Sequence, residues 1–188
     1  ESIYNNKKLP LNPILLTFDD GFSDNYDYVF PILVKENIKA CFFPVGSSII
    51  DNKVLDVHKI HFILSVFNDH NELIKKIYEV ICIYDKNYKH EQYLQLYNKL
   101  AIANKFDNKN VIFIKRLLQH ELSAGIRKMV LTYLFNKYVN ENEKSFSKGL
   151  YLNLSQIKEM IHKGMVFGHH GFEHLWLGKI DKKSQEKE

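Results

Sequence analysis

Between Asp56 and Tyr138 the chain has no proline and a single glycine, Gly125. Those two residue types are the strongest local breaks in regular backbone, so this stretch is free to run as long helices. Its apolar residues agree. Leu73, Ile77, Val80 and Ile81 recur at helical spacing, as do Tyr93, Leu96, Tyr97 and Leu100. Ile114, Leu117, Leu118 and Leu122 form a third stripe, and Val130, Leu134 and Tyr138 a fourth. Residues three and four apart share one helical face, which such a stripe buries. The region reads as a block of about four to six amphipathic helices packed through these stripes.

The flanks follow another pattern. Pro13 to Phe18 is a short apolar run that stops at Asp19-Asp20-Gly21. This reads as a buried strand ending in a turn. Ser23 or Asp24 offers an N-cap to a helix through Tyr28, Leu33 and Val34, with Pro31 expected to delay or kink it. Ile38 to Val45 is a second apolar run, closed by Gly46-Ser47-Ser48. Strand, helix and strand over about 30 residues make a βαβ unit and hence a parallel sheet. The pattern resumes at Tyr151. Leu154, Ile157, Met160 and Ile161 share a helical face, with Ser155 as its cap or in its first turn. Lys163-Gly164 ends that helix, and Met165 to Phe167 is a third strand followed by Gly168-His169-His170. The fold class is α/β with parallel strands, interrupted by a large all-helical segment.

Composition excludes several function classes. The chain has 188 residues, 45% of them hydrophobic, and a formal net charge of +4. Nucleic-acid binding needs a concentrated basic stripe, but there are only two arginines, Arg116 and Arg127. No apolar run approaches the roughly 20 residues of a membrane span. Cys41 and Cys82 are far apart and form no CxxC pair, so neither a disulfide framework nor a thiolate metal site is indicated. Cys41 is expected as a buried free thiol. Nothing indicates an oligomeric state. The first residues, from Glu1 to Lys8, lack the apolar core of a signal peptide. That favours the cytoplasm, or the periplasm or cell exterior if a leader has been removed.

Two short segments carry the chemistry. Asp19 and Asp20 are adjacent acids at a strand end. Alternation sends neighbouring strand side chains to opposite faces, so one can hold a metal while the other moves a proton. Asp-Asp-Gly is also ordinary turn chemistry. His170 and His174 are four residues apart, close enough to hold one ion, and neutral imidazole suits Zn²⁺ and related divalent ions. With nine histidines in the chain, chance pairs are common, and His169 competes with His170 at a poorer spacing to His174. Both segments follow predicted parallel strands and so face one end of a sheet, the end that carries chemistry in parallel α/β folds.

Thr17-Phe18-Asp19-Asp20-Gly21 resembles the first motif of the polysaccharide deacetylase family, also called carbohydrate esterase family four. Ile38-Lys39-Ala40-Cys41-Phe42-Phe43 is similar to that family's second strand. Gly168-His169-His170-Gly171-Phe172-Glu173-His174 looks like its Gly-Ser-His-Thr-x-x-His motif, with His169 in place of the Ser and Gly171 in place of Ser or Thr. Loss of the hydroxyl at Gly171 is expected to loosen that loop. The resemblance implies a general base at Asp19 and metal ligands at Asp20, His170 and His174. It implies a divalent metal, Zn²⁺ above all, and an N-acetylated glycan as substrate. The reaction would be hydrolysis of N-acetyl groups on amino sugars, with a backbone N–H after the second strand helping to stabilise the oxyanion.

The fold it implies is the N-terminal part of a distorted (β/α) barrel: residues 1–50 as a first βαβ part, 51–150 as a helical insertion and 151–188 as an incomplete continuation. The insertion looks like that of deacetylase-like proteins of bacterial surface-glycan synthesis, in segments such as Ile114 to Arg127 and Lys148 to Leu154. The family's later motifs, including a Leu-x-His segment with the catalytic acid, are not in these residues. The chain is therefore expected to be a fragment with little activity by itself. A catalytically incomplete glycan-binding or scaffold protein, and an unrelated metallohydrolase, are the alternatives.

Overall fold

The computed structural model describes residues 8–9 and 11–188. The chain divides into two compact units. One comprises the described residues up to Lys53 together with Ser147–Glu188, and the other is Val54–Phe146.

The first unit is built on three short parallel strands: β1 (Thr17–Asp20), β2 (Cys41–Pro44) and β3 (Val166–Phe167), in the order β1-β2-β3. The register sets Phe18 beside Phe42 and Phe42 beside Phe167. Parallel neighbours carry their side chains on the same face, so the three rings stack across the sheet. Their centroids lie 5.0 Å (Phe18–Phe42) and 5.4 Å (Phe42–Phe167) apart. Phe30, Leu33, Ala40, Leu152, Met160 and Met165 complete the core around fully buried Phe42. Cys41 alternates with Phe42 and is therefore a half-buried free thiol, not the buried one expected.

The first strand begins at Thr17, later than the apolar run suggests. Thr17 pairs with Cys41 at the start of β2, the Leu16 carbonyl accepts the Cys41 N–H at 3.0 Å, and Ile14 before them is 86% exposed. A π-helical turn, Asn25–Val29, leads into α1 (Phe30–Lys35). Pro31 falls in the first turn of α1, where a missing N–H is tolerated. Neither Ser23 nor Asp24 caps this segment with its side chain: Asp24 makes no capping bond, and Ser23 Oγ donates to the Gly149 carbonyl at 3.0 Å. Gly46-Ser47-Ser48 opens α2 (Gly46–Ile50) directly after β2.

The second unit contains α3 (Asp56–Val66), α4 (His70–Tyr84), α5 (His90–Leu100), α6 (Lys109–Arg116) with a π-helical turn Leu117–Glu121, and α7 (Ala124–Tyr138). Both α3 and α4 pack on α7, and α4 and α5 pack on α6. Leu73, Ile77, Val80, Ile81, Val130 and Leu134 are buried, as their spacing requires. Lys59 of α3 is buried too, and its ammonium lies 2.9 Å from Glu143 Oε1. The same oxygen accepts the Val54 N–H at 3.0 Å.

After α8 (Glu143–Leu150), α9 (Leu154–His162) returns the chain to the sheet of the first unit. Asn153, not Ser155, is the cap. Its Oδ1 accepts the N–H groups of Ser155 and Gln156, while Gln156 Oε1 accepts the Asn153 N–H. Ser155 sits in the first turn. The chain ends with a 3₁₀ turn (Leu177–Lys179) and α10 (Lys182–Lys187). Among the described residues, no helix is long and apolar enough to cross a membrane.

Removing one partner of a buried ion pair strands the other charge, at a cost of about 3 kcal/mol or more. Glu143→Ala should therefore lower the unfolding free energy of the helical unit by about that amount in urea titrations. Glu141→Ala, at an exposed position, should stay within about 0.5 kcal/mol of wild type.

Candidate metal centre

The end of the central strand anchors the site. Asp20, the last residue of β1, pairs with Pro44, and on the other side of β2 the His170 N–H donates to the Pro44 carbonyl at 3.1 Å. One residue of β2 thus sets the height of both chemical segments.

The backbone there is unusual. Asp20 has φ +65° and Gly21 φ +71°. The Gly21 N–H donates to the Asp19 carbonyl at 2.8 Å, and the Gly21 carbonyl accepts the Leu152 N–H at 2.8 Å. A Cβ on Gly21 would lie 2.6 Å from Pro44 Cβ, so glycine is needed for both conformation and space. On the histidine side, Gly171 has φ +78° and His174 φ +59°. Left-handed non-glycine residues are uncommon and cluster at functional sites, each costing of order 1–3 kcal/mol.

These turns bring three side chains together. Asp20 Oδ1 lies 3.8 Å from His170 Nε2 and 3.7 Å from His174 Nε2. One donor atom from each residue falls within 4.8 Å of the others. The imidazole centroids are 4.9 Å apart with planes inclined at 55°. Such N···O distances exceed hydrogen-bonding length. Two donors that each sit about 2.1 Å from a shared ion can be at most about 4.2 Å apart, and both N···O pairs meet that limit. Two imidazoles and a carboxylate are also a suitable donor set for a borderline divalent ion. The side chains are 22% (Asp20), 29% (His174) and 41% (His170) exposed, so one side of the cluster opens to solvent.

Asp20, His170 and His174 are the residues brought together. His169, the competing histidine, is exposed and outside the cluster. Asp19 is exposed on β1 beside Asp20 and is not one of the three. The N–H groups after β2, expected at an oxyanion, are committed elsewhere. Gly46 N–H donates to the Gly171 carbonyl at 3.0 Å and Ser47 N–H to the Phe172 carbonyl at 2.8 Å. They fasten the histidine loop instead. Lys53 was not foreseen either. Its ammonium lies 2.7 Å from Glu173 and 3.2 Å from Asp51, and the bond to Glu173 raises its pKa. A lone lysine in a polar stretch carries no local signal for such a contact.

Comparison with known proteins supplies the family. The polysaccharide deacetylase family model matches residues 6–122, more than half of the chain. The chain belongs to the polysaccharide deacetylase family. The match contains Asp19 and Asp20 and stops before His170, so the histidine half of the cluster rests on geometry. A Bacillus subtilis (strain 168) protein named "Putative polysaccharide deacetylase YxkH" is 50% identical over 36 residues, which is 19% of this chain. The matched segment spans 13% of that relative's length. No solved structure matches significantly. The family is generally metal-dependent.

Gly21→Ala should destabilise the strand unit by about 2 kcal/mol, because the strained φ and the Pro44 contact both oppose a Cβ. Gly125→Ala, in helix α7 with open space around it, should be stabilising by about 0.5–1 kcal/mol. Paired urea titrations compare the two.

Proposed function

We propose that this chain carries the metal-binding and general-base residues of a divalent-metal-dependent hydrolase that removes N-acetyl groups from amino sugars of a polysaccharide or surface glycan. The observation that carries the reading is the convergence of Asp20, His170 and His174 at the C-terminal end of a parallel sheet. These residues are the proposed ligands, and Zn²⁺ is the ion the donor set suits. When bound, a divalent ion supplies Lewis acidity toward the acetamide carbonyl and lowers the pKa of water toward neutrality.

The protein's own residues do the rest. Asp20 supplies the anionic donor, and its place at the end of β1 holds that donor against the two imidazoles. Asp19, adjacent but outside the cluster, is the general base that takes a proton from the attacking water. Its exposure suits a group that meets water and substrate. The solvent-open side of His170 leaves room for the acetamide. The parallel strands support the beginning of a distorted (β/α) barrel, and the helical unit supports an insertion. The assignment of 1–50 and 151–188 to the deacetylase domain and 51–150 to the insertion belongs to this same reading.

Calorimetric titration with Zn²⁺ separates the roles. Asp20→Ala and His174→Ala should each weaken binding by at least about 100-fold, since a ligand is lost. Asp19→Asn should bind Zn²⁺ as wild type does. It should also lower acetate release from N-acetylated chito-oligomers by about 10²- to 10⁴-fold relative to wild type. Unchanged Zn²⁺ affinity in His174→Ala would falsify the ligand set. A wild-type product that binds Zn²⁺ and the oligomer without releasing acetate is a glycan-binding protein instead.

A further inference from the structure

The histidine loop carries a backbone demand that the cluster itself does not meet. His174 is held at φ +59°, and the residues on either side of it, Glu173 and Leu175, each direct an N–H out of the loop. Both find the same acceptor. Glu173 N–H donates to Glu188 Oε2 at 2.9 Å and Leu175 N–H to Glu188 Oε1 at 2.7 Å. Phe172 N–H donates to the Glu188 main-chain oxygen at 3.1 Å. One glutamate therefore brackets His174 with the two oxygens of a single carboxylate. Hydrogen bonds to a charged acceptor are the stronger kind.

Gly171 supplies a second, independent observation. A Cβ built there would lie 2.5 Å from Glu188 Oε1 and 3.1 Å from its Cδ. The carboxylate occupies the space a side chain at 171 would need. The position where the family resemblance calls for Ser or Thr is glycine in this chain, and the space beside it holds the carboxylate of Glu188, the residue that ends α10. That helix is in turn capped by Asp181, which accepts the Ser184 N–H at 3.1 Å and its hydroxyl at 2.7 Å.

We propose that Glu188 is a positioning residue for the metal centre: its carboxylate, seated in the space left by Gly171, holds the N–H groups of Glu173 and Leu175 on either side of His174 so that His174 and His170 are preset to receive a divalent ion. The inference rests on the metal-centre reading above and adds to it a residue that touches neither metal nor substrate. Groups that orient metal ligands typically change affinity by about 10- to 100-fold when removed.

Co²⁺ titration followed by visible absorption tests it, together with amide hydrogen exchange on the metal-free protein. Glu188→Ala should weaken Co²⁺ binding by about 10- to 100-fold. It should also speed exchange at the Glu173 and Leu175 amides in the absence of any metal. Glu188→Gln should show a smaller loss in both, because its carboxamide keeps one acceptor oxygen and turns an N–H₂ toward the other donor. Gly171→Ala should shift both readouts in the direction of Glu188→Ala. His174→Ala is the control for the centre itself. If it loses Co²⁺ while folded Glu188→Ala binds with wild-type affinity, the positioning role is overturned and the metal centre stands. If His174→Ala binds Co²⁺ as wild type does, the metal centre is overturned. Should Glu188→Ala fail to fold, wild-type affinity and exchange in Glu188→Gln overturn the proposal in its place.

Discussion

The ring of Phe42 is fully buried and is stacked on both sides, by Phe18 from one neighbouring strand and Phe167 from the other. The strands themselves are short, and β3 has only two residues in the ladder. Few backbone bonds are available to hold such a strand in register. Burying a large apolar side chain is worth about 1.5–3 kcal/mol, and an aromatic pair adds about 0.5–1.5 kcal/mol. The phenylalanine stack therefore contributes on the same scale as the ladder it spans. Its register in turn brings Asp20 and His170 to either side of Pro44. A slip by one residue would turn the apolar set to the other face and separate the two halves of the cluster.

That core also offsets the strain at the site. Asp20 and His174 both adopt left-handed backbone, and both are members of the donor cluster. Such residues persist only where the surroundings over-determine them. Around Asp20 the constraint comes from the Gly21 turn and its bond to Leu152. Around His174 it comes from loop carbonyls fastened to Gly46 and Ser47, loop N–H groups fastened to Glu188, and the Lys53–Glu173 ion pair. Three side chains, one at the end of β1 and two on the histidine loop, are thus presented by a scaffold that leaves their solvent side open.

Much of this was legible along the chain. Helical periodicity located the stripes of the second unit because burial of one face is written directly into residue spacing. The three strands were visible as short β-rich runs ending in glycine-containing turns, the strand-end rule set the aspartate and histidine segments at one end of the sheet, and the family resemblance singled out Asp20, His170 and His174 within them. The misplacements were local and have local causes. Ile14 and Leu15 read as strand but have no ladder partner before Cys41. Ser155 reads as the cap or a first-turn residue and takes the first turn, because Asn153 has the better side chain for the cap and Gln156 to reciprocate. The N–H groups of Gly46 and Ser47 look available in sequence and are consumed by carbonyls more than 120 residues away.

By itself the sequence determined the α/β class, the helical character of the middle segment and the chemical nature of the donors, since periodicity, turn residues and side-chain chemistry are all encoded locally. Only the tertiary structure decided the left-handed backbone at Asp20 and His174, the commitment of the Gly46 and Ser47 N–H groups to the histidine loop, and the seat of the Glu188 carboxylate beside Gly171. Those outcomes depend on strand register, on left-handed backbone that persists only where its surroundings over-determine it, and on the arrival of Glu188 from the end of α10. Each is settled by three-dimensional packing, and no pattern of neighbours along the sequence records it.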